Sequence, residues 1–140
     1  SLAAHGFTDI VYIGDSGGNR RGMTNVAEML TAEWSAAGRD VAAHHVGEFY
    51  NYSDVEQYME TELGYEQPVD EGLHDNLYIT SIMMVTDPTV VRYDQRVAAG
   101  KATINGASIE PKHEITSLGM KLLQYRVDLT VAAIREARGR

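Results

Sequence analysis

The chain has 140 residues, 44% hydrophobic and 23% charged, a mixture that suits one folded globular core and excludes a disordered tail. Twenty acidic against twelve basic side chains leave a formal charge of −8 with no dense Lys/Arg cluster, which argues against nucleic acid as a partner. Cysteine is absent, ruling out disulfides and thiolate metal sites, and with no apolar run near the roughly 18 residues of a membrane span and no leader-like start, the expectation is a cytoplasmic protein that does not engage a membrane.

The opening Ser1-Leu2-Ala3-Ala4-His5-Gly6 reads as the last turn of a helix and its glycine terminator. A chain that opens there is expected to lack the earlier strands of its domain. The apolar run Ile10, Val11, Tyr12, Ile13 then predicts a buried strand that breaks at Gly14 into the loop Asp15-Ser16-Gly17-Gly18-Asn19. Met23, Val26, Ala27, Leu30 and Trp34 recur at helical spacing up to a terminator at Gly38, and Val41 to Val46 suits a second strand. Strand, glycine loop, helix, strand is the unit from which parallel sheets are built, so the fold class is α/β.

The acidic segment 47–71, with Tyr50, Tyr52, Tyr58 and Tyr65, predicts a short helix within an irregular excursion. Leu73, Leu77, Ile79, Ile82, Met83 and Val85 are too crowded for one narrow stripe and predict a largely buried helix over 73–85, ended by Asp87-Pro88. Residues 97–109 hold two glycines and read as a loop with one short strand. Ile115, Leu118, Leu122, Tyr125, Leu129 and Ala133 predict a long final helix, with Arg135 and Arg138 placed to favour its dipole.

Loop 14–19 is the leading site candidate, because open α/β sheets bind ligands at the carboxyl ends of their strands. Its glycines let backbone N–H groups approach an anion or oxyanion, while Asp15, Ser16 and Asn19 supply polar contacts. The purely structural alternative is a turn in which Asp or Ser caps the following helix. His44 and His45 are adjacent on a strand, point to opposite faces and suit no shared metal. His113 reads as a cap or surface residue, and Tyr50, Tyr52 and Tyr58 as core-edge packing or a cover over substrate.

Gly14-Asp15-Ser16-Gly17-Gly18 resembles the nucleophile region of trypsin-like proteases, but only His5 precedes Ser16, which excludes that match. Ile13-Gly14-Asp15-Ser16 after a first strand also resembles a lipase and esterase family. That likeness pairs Ser16 as nucleophile with His74 as base, after Asp70 and Glu71.

A longer resemblance is to the creatininase family. It is carried by Gly6-Phe7-Thr8-Asp9-Ile10-Val11, by Gly17-Gly18-Asn19, by the His74-containing stretch ending Thr80-Ser81-Ile82-Met83-Met84, by Asp87-Pro88-Thr89-Val90-Val91-Arg92 and by the closing helix, in that order. It implies a three-layer fold with a mainly parallel sheet flanked by helices, present here as its C-terminal portion over 1–140. It further implies assembly into oligomers and hydrolysis of an amide or cyclic amide C–N bond at a site holding a divalent metal such as zinc or manganese. Loop 14–19 and His74 then line the site: His74 is a metal ligand, a general base or a substrate contact, Ser16 and Asp15 are the loop's catalytic candidates, and Gly17, Gly18, Asn19, Asp75 and Asn76 are candidate contacts to a small-molecule substrate. The chain departs from the pattern in three places: the family's Glu-His-Gly block is missing, Ser16 stands where a His is usual, and Leu77 where a Glu often follows. A second chain or segment is therefore expected to supply the remaining ligands. The alternatives are a Ser16/His74 hydrolase, and a non-catalytic binding subunit that has lost its ligands. Ser1, with its amine and hydroxyl together, has the bare requirement of an N-terminal nucleophile.

Overall fold

The computed structural model describes residues 2–69 and 75–139. They form two compact units: the first comprises Ser1–Asn51 and Val127–Arg140, the second Tyr52–Arg126.

The first unit is a β-α-β element. Strand β1 (Asp9–Tyr12) and strand β2 (Ala42–His45) pair in parallel, Asp9 opposite Ala42 and Tyr12 opposite His45, and helix α1 (Arg20–Ala36) connects them. The helix stops where the sequence predicts. Gly38 adopts φ +67°, Gly38 N–H donates to Ser35 O and Arg39 N–H to Trp34 O, the glycine terminator that satisfies the last carbonyls. Before β1, Leu2–His5 form a short 3₁₀ turn closed by Gly6 at φ +87°.

Side-chain alternation assigns the two faces of the pair. Ile10, Tyr12, Ala43 and His45 lie on the face of α1, where His45 and Ala43 are bonded to Thr24 and Thr31. Asp9, Val11, Ala42 and His44 lie on the other, where Asp9 Oδ2 stands 3.3 Å from Nε of Arg138 and Asp9 Oδ1 3.3 Å from Nε2 of His44. Backbone parity follows from the same register: Ala42 N–H donates to Thr8 O and Val46 N–H to Tyr12 O, so even-numbered groups of β1 face β2 and odd-numbered groups face outward. On β2, the outward groups of Ala43 are both satisfied by Thr31. Its Oγ1 accepts from Ala43 N–H at 2.8 Å and donates to Ala43 O at 3.1 Å.

The second unit is helical around a hairpin. Helix α2 (Tyr52–Thr61), helix α3 (Leu77–Thr86), the short helix α4 (Tyr93–Ala98), strands β3 (Thr103–Ile104) and β4 (Ala107–Ser108), and helix α5 (Lys112–Ala137) follow in order, residues 112–126 of α5 lying in this unit and 127–137 in the first. Its core collects Val55, Met59, Leu77, Tyr78, Met84, Ile109, Leu118 and Leu122, all nearly inaccessible to solvent. Each such side chain contributes on the order of 1.5–3 kcal/mol by leaving water. The packing of α3 on α5 depends on Gly119, whose missing Cβ would fall against the Ser81 carbonyl and 2.8 Å from Val85 Cγ2.

Three features differ from the sequence reading. The described residues contain helices and two two-stranded sheets, one parallel and one antiparallel, which is mixed α and β structure but not a three-layer fold with a mainly parallel sheet. The reason is compositional: the region after β2 carries helical spacing and turn residues, so it adds helices where a larger sheet needs strands. Helix α3 starts at Leu77, because Asn76 caps it, its Oδ1 accepting from Ile79 N–H at 2.8 Å; Leu73, where the apolar pattern begins, lies outside the described residues. The loop at 97–109 holds a hairpin turned by Asn105 (φ +47°) and Gly106 (φ +79°), the paired positive φ values that Asn-Gly supplies at low cost.

Candidate functional site

Loop 14–19 leaves the carboxyl end of β1 as the sequence predicts. Residues Gly17–Asn19 form a 3₁₀ turn that runs directly into α1. Ser16 precedes it in extended conformation, φ −143° and ψ 122°, and its side chain makes no capping bond; neither does that of Asn19. Neither of these two side chains caps the helix start, and the Ser16 hydroxyl is exposed. The N–H groups of Gly17 and Gly18 meet no acceptor among the described residues, as first-turn donors of a helix do.

The wall beside this loop comes from residues after β2. A Cβ at Gly17 would lie 3.2 Å from the Tyr50 hydroxyl, so glycine there permits the ring to lie against the loop backbone. The guanidinium of Arg20 sits 5.8 Å from the centroid of the same ring. Gly47 faces Arg20 Nη2 and His45 Cε1. His45 Nδ1 is 2.8 Å from Thr24 Oγ1, and Thr24 Oγ1 lies 3.1 Å from Arg20 O as donor.

Arg20 and His45 are the site-wall residues that sequence reasoning missed. His44 and His45 do face opposite ways, one bonded to Asp9 and the other to Thr24, but only the register shows that His45 stands at the carboxyl end beside the loop. Tyr50 borders the loop, whereas Tyr52 and Tyr58 pack in the second unit, edge-on to Tyr78 and stacked on Tyr125.

His74, Asp70 and Glu71 lie outside the described residues, as does Ser1. Asp75 is exposed. Asn76 uses both ends of its amide, accepting from Ile79 N–H and donating to Glu56 Oε1 at 2.6 Å. Among the described residues no three His, Asp or Glu side chains come together as a metal-ligand group. The described residues by themselves thus present no ligand set for the divalent metal that the resemblance implies.

The chain matches no family model, no curated protein and no solved structure. Among the described residues no helix is long and apolar enough to cross a membrane.

Proposed function

We propose that the chain is part of a creatininase-type hydrolase acting on an amide or cyclic amide C–N bond, with loop 14–19 forming one wall of the substrate site. The observation that carries this reading is the loop itself: two glycine N–H groups without acceptors among the described residues, beside the uncapped Ser16 hydroxyl, at the carboxyl end of a parallel strand. Such N–H groups suit the oxygen of a carbonyl under attack, where charge develops. Arg20 and Tyr50 lie together beside the loop and suit a polar, partly planar substrate. The ligands of a metal, zinc or manganese by the resemblance, belong in this reading to His74 and to another chain or segment.

A serine-hydrolase reading is favoured by the exposed Ser16 hydroxyl, with His74 as its expected base. One experiment separates the readings. Purified protein, together with any polypeptide that co-purifies, is assayed on amide, cyclic amide and ester panels with and without chelator, then after zinc or manganese is added back. The creatininase-type reading expects amide hydrolysis lost on chelation, restored by metal and only reduced in Ser16→Ala. Activity indifferent to chelation but abolished in Ser16→Ala transfers the chemistry to the serine. A complete assembly that hydrolyses nothing leaves a binding subunit.

A further inference from the structure

The parallel pair in the first unit has two outer edges, and they are not equivalent. At β2 the outward N–H and C=O of Ala43 are both taken by the Thr31 hydroxyl, so another strand cannot pair there without displacing it. At β1 the outward groups are the odd-numbered ones, and those of Val11 meet no partner among the described residues. Unpaired strand edges in natural proteins are commonly protected by Lys, Pro or a bulge. This edge has none of them, and its one charged residue, Asp9, is engaged by His44 and Arg138; beyond it the edge reads Ile10-Val11-Tyr12-Ile13, all strong strand formers, with Phe7 54% and Ile13 49% exposed at its two ends.

A groove accompanies the edge on each face. On the α1 side it is lined by Leu2, Leu30 and Trp34 beside Ile10 and Tyr12. On the other side it is lined by Val11, Ile134 and Arg138. The flanks of the edge are therefore open toward α1 and toward the last turns of α5, which leaves room for a strand carrying side chains on both faces.

We infer that a second copy of this chain occupies the edge, its β1 running antiparallel to the first and producing a four-stranded sheet in the order β2, β1, β1, β2. The strand is self-complementary about Val11. With the two-fold axis there, the two Val11 residues exchange both backbone hydrogen bonds, Ile10 stands opposite Tyr12 of the second copy on the α1 face, and the exposed Ile13 stands opposite Asp9. Aromatic-to-β-branched pairs of the Ile10–Tyr12 kind are among the favourable cross-strand contacts. Because Thr31 occupies the middle of the other edge, each copy offers one such surface, and the assembly closes as a dimer and does not grow into a fibre. Antiparallel pairing sends the two 14–19 loops to opposite ends of the sheet, each beside residues 6–8 of the other copy, so the second copy borders the site described above. Neither the dimer nor its test depends on the chain being a hydrolase.

Sedimentation velocity and native mass spectrometry across micromolar concentrations test this on the purified chain. The expected result is a doubled mass, with Val11→Pro and Ile13→Asp each weakening self-association by about tenfold or more while far-UV circular dichroism is unchanged. Proline at 11 removes an N–H that faces away from β2, and Ile13 is half exposed, so Ile13→Asp keeps the test decisive should the proline variant fail to fold. A chain that stays monomeric throughout overturns the inference. So does a dimer indifferent to both substitutions, and so does a different polypeptide bound in place of the second copy.

Discussion

Replacing Gly119 with alanine sets two effects of known size against each other. Alanine is favoured over glycine inside a helix by about 0.8–1.0 kcal/mol, which alone would stabilise α5. Its Cβ, however, would press on the Ser81 carbonyl oxygen, lie 2.6 Å from the Ser81 carbonyl carbon and 2.8 Å from Val85 Cγ2, where carbon atoms rest at about 3.5–4.0 Å. The obstacle is backbone, so no rotamer change relieves it. Helix α3 has to withdraw by roughly 1 Å, and it carries Leu77, Tyr78, Ser81 and Met84, each 1% exposed or less. Overpacking of this kind costs typically 1–3 kcal/mol, and a backbone obstacle belongs at the upper end. About 3 kcal/mol against a gain of about 1 kcal/mol leaves a net loss of about 2 kcal/mol.

Gly22 is the internal control. It lies in α1, it is exposed, and a Cβ there meets nothing within 4 Å, so Gly22→Ala should stabilise by about 0.5–1 kcal/mol. Thermal unfolding followed by far-UV circular dichroism reads both variants, and fluorescence of Trp34, the single tryptophan, reports on the unit that contains Gly22. The expected outcome is a Tm lowered by roughly 5–10 °C for Gly119→Ala and raised by a few degrees for Gly22→Ala. A Gly119→Ala protein as stable as the wild type would show that α3 and α5 do not approach as described.

Thr31→Val keeps the shape of the side chain but deprives Ala43 N–H and C=O of their partner, so urea unfolding should show a loss of about 1–3 kcal/mol that Thr31→Ser largely avoids. Asn76→Ala removes the cap of α3 and should cost about 1 kcal/mol by the same measurement. The Asp87 carboxylate accepts from both the N–H and the hydroxyl of Thr89, which hold its pKa below the ordinary 3.8. Its stabilising contribution is therefore present above the unfolded-state value and is lost as pH falls through the lower folded-state value; NMR titration of the carboxyl carbon should show a midpoint below 3.8 that returns toward normal in Thr89→Ala. Asn105→Gly at the hairpin keeps positive φ available and removes a buried amide nitrogen that has no hydrogen-bond partner among the described residues, so it should be neutral or slightly stabilising, whereas Asn105→Val should lose about 1–2 kcal/mol.

The elements most legible in the sequence were those whose signals are local. The run at Ile10, the helical spacing that follows and the terminator at Gly38 placed β1 and α1, and the long period from Ile115 placed α5. The start of α3 was misplaced because Leu73 continues the apolar pattern, while the cap at Asn76 is a polar residue inside it. The hairpin was legible in principle: Asn105-Gly106 is the strongest short signal for a two-residue turn, but its strands have two residues each and show no alternation to read. Helix α4 follows Arg92, which adopts φ +52°, a conformation that arginine does not announce. At the candidate site, the position of loop 14–19 follows from strand order, and the alternative in which Ser16 caps the helix is not what the structure has. The neighbours Arg20, His45 and Tyr50 meet the loop through the parallel register and the turn after β2, which spacing alone does not encode.

The stability of the first unit follows from the same register. Two strands of four residues are too few to stand alone in water, and parallel pairs are found with both faces covered. Here α1 covers one face, and the last turns of α5 reach the other through Arg138 and Asp9. With the middle of the β2 edge occupied by Thr31, the outward backbone groups of Val11 are left without a partner among the described residues. Evolution of a longer solitary sheet would place charge or proline at that edge; the uninterrupted Ile10-Val11-Tyr12-Ile13 is instead what a strand needs when another strand lies beside it. Loop 14–19 begins where that run ends, so whatever pairs with β1 also borders the candidate site, and the assembly state and the chemistry of this chain are to be measured on the same preparation.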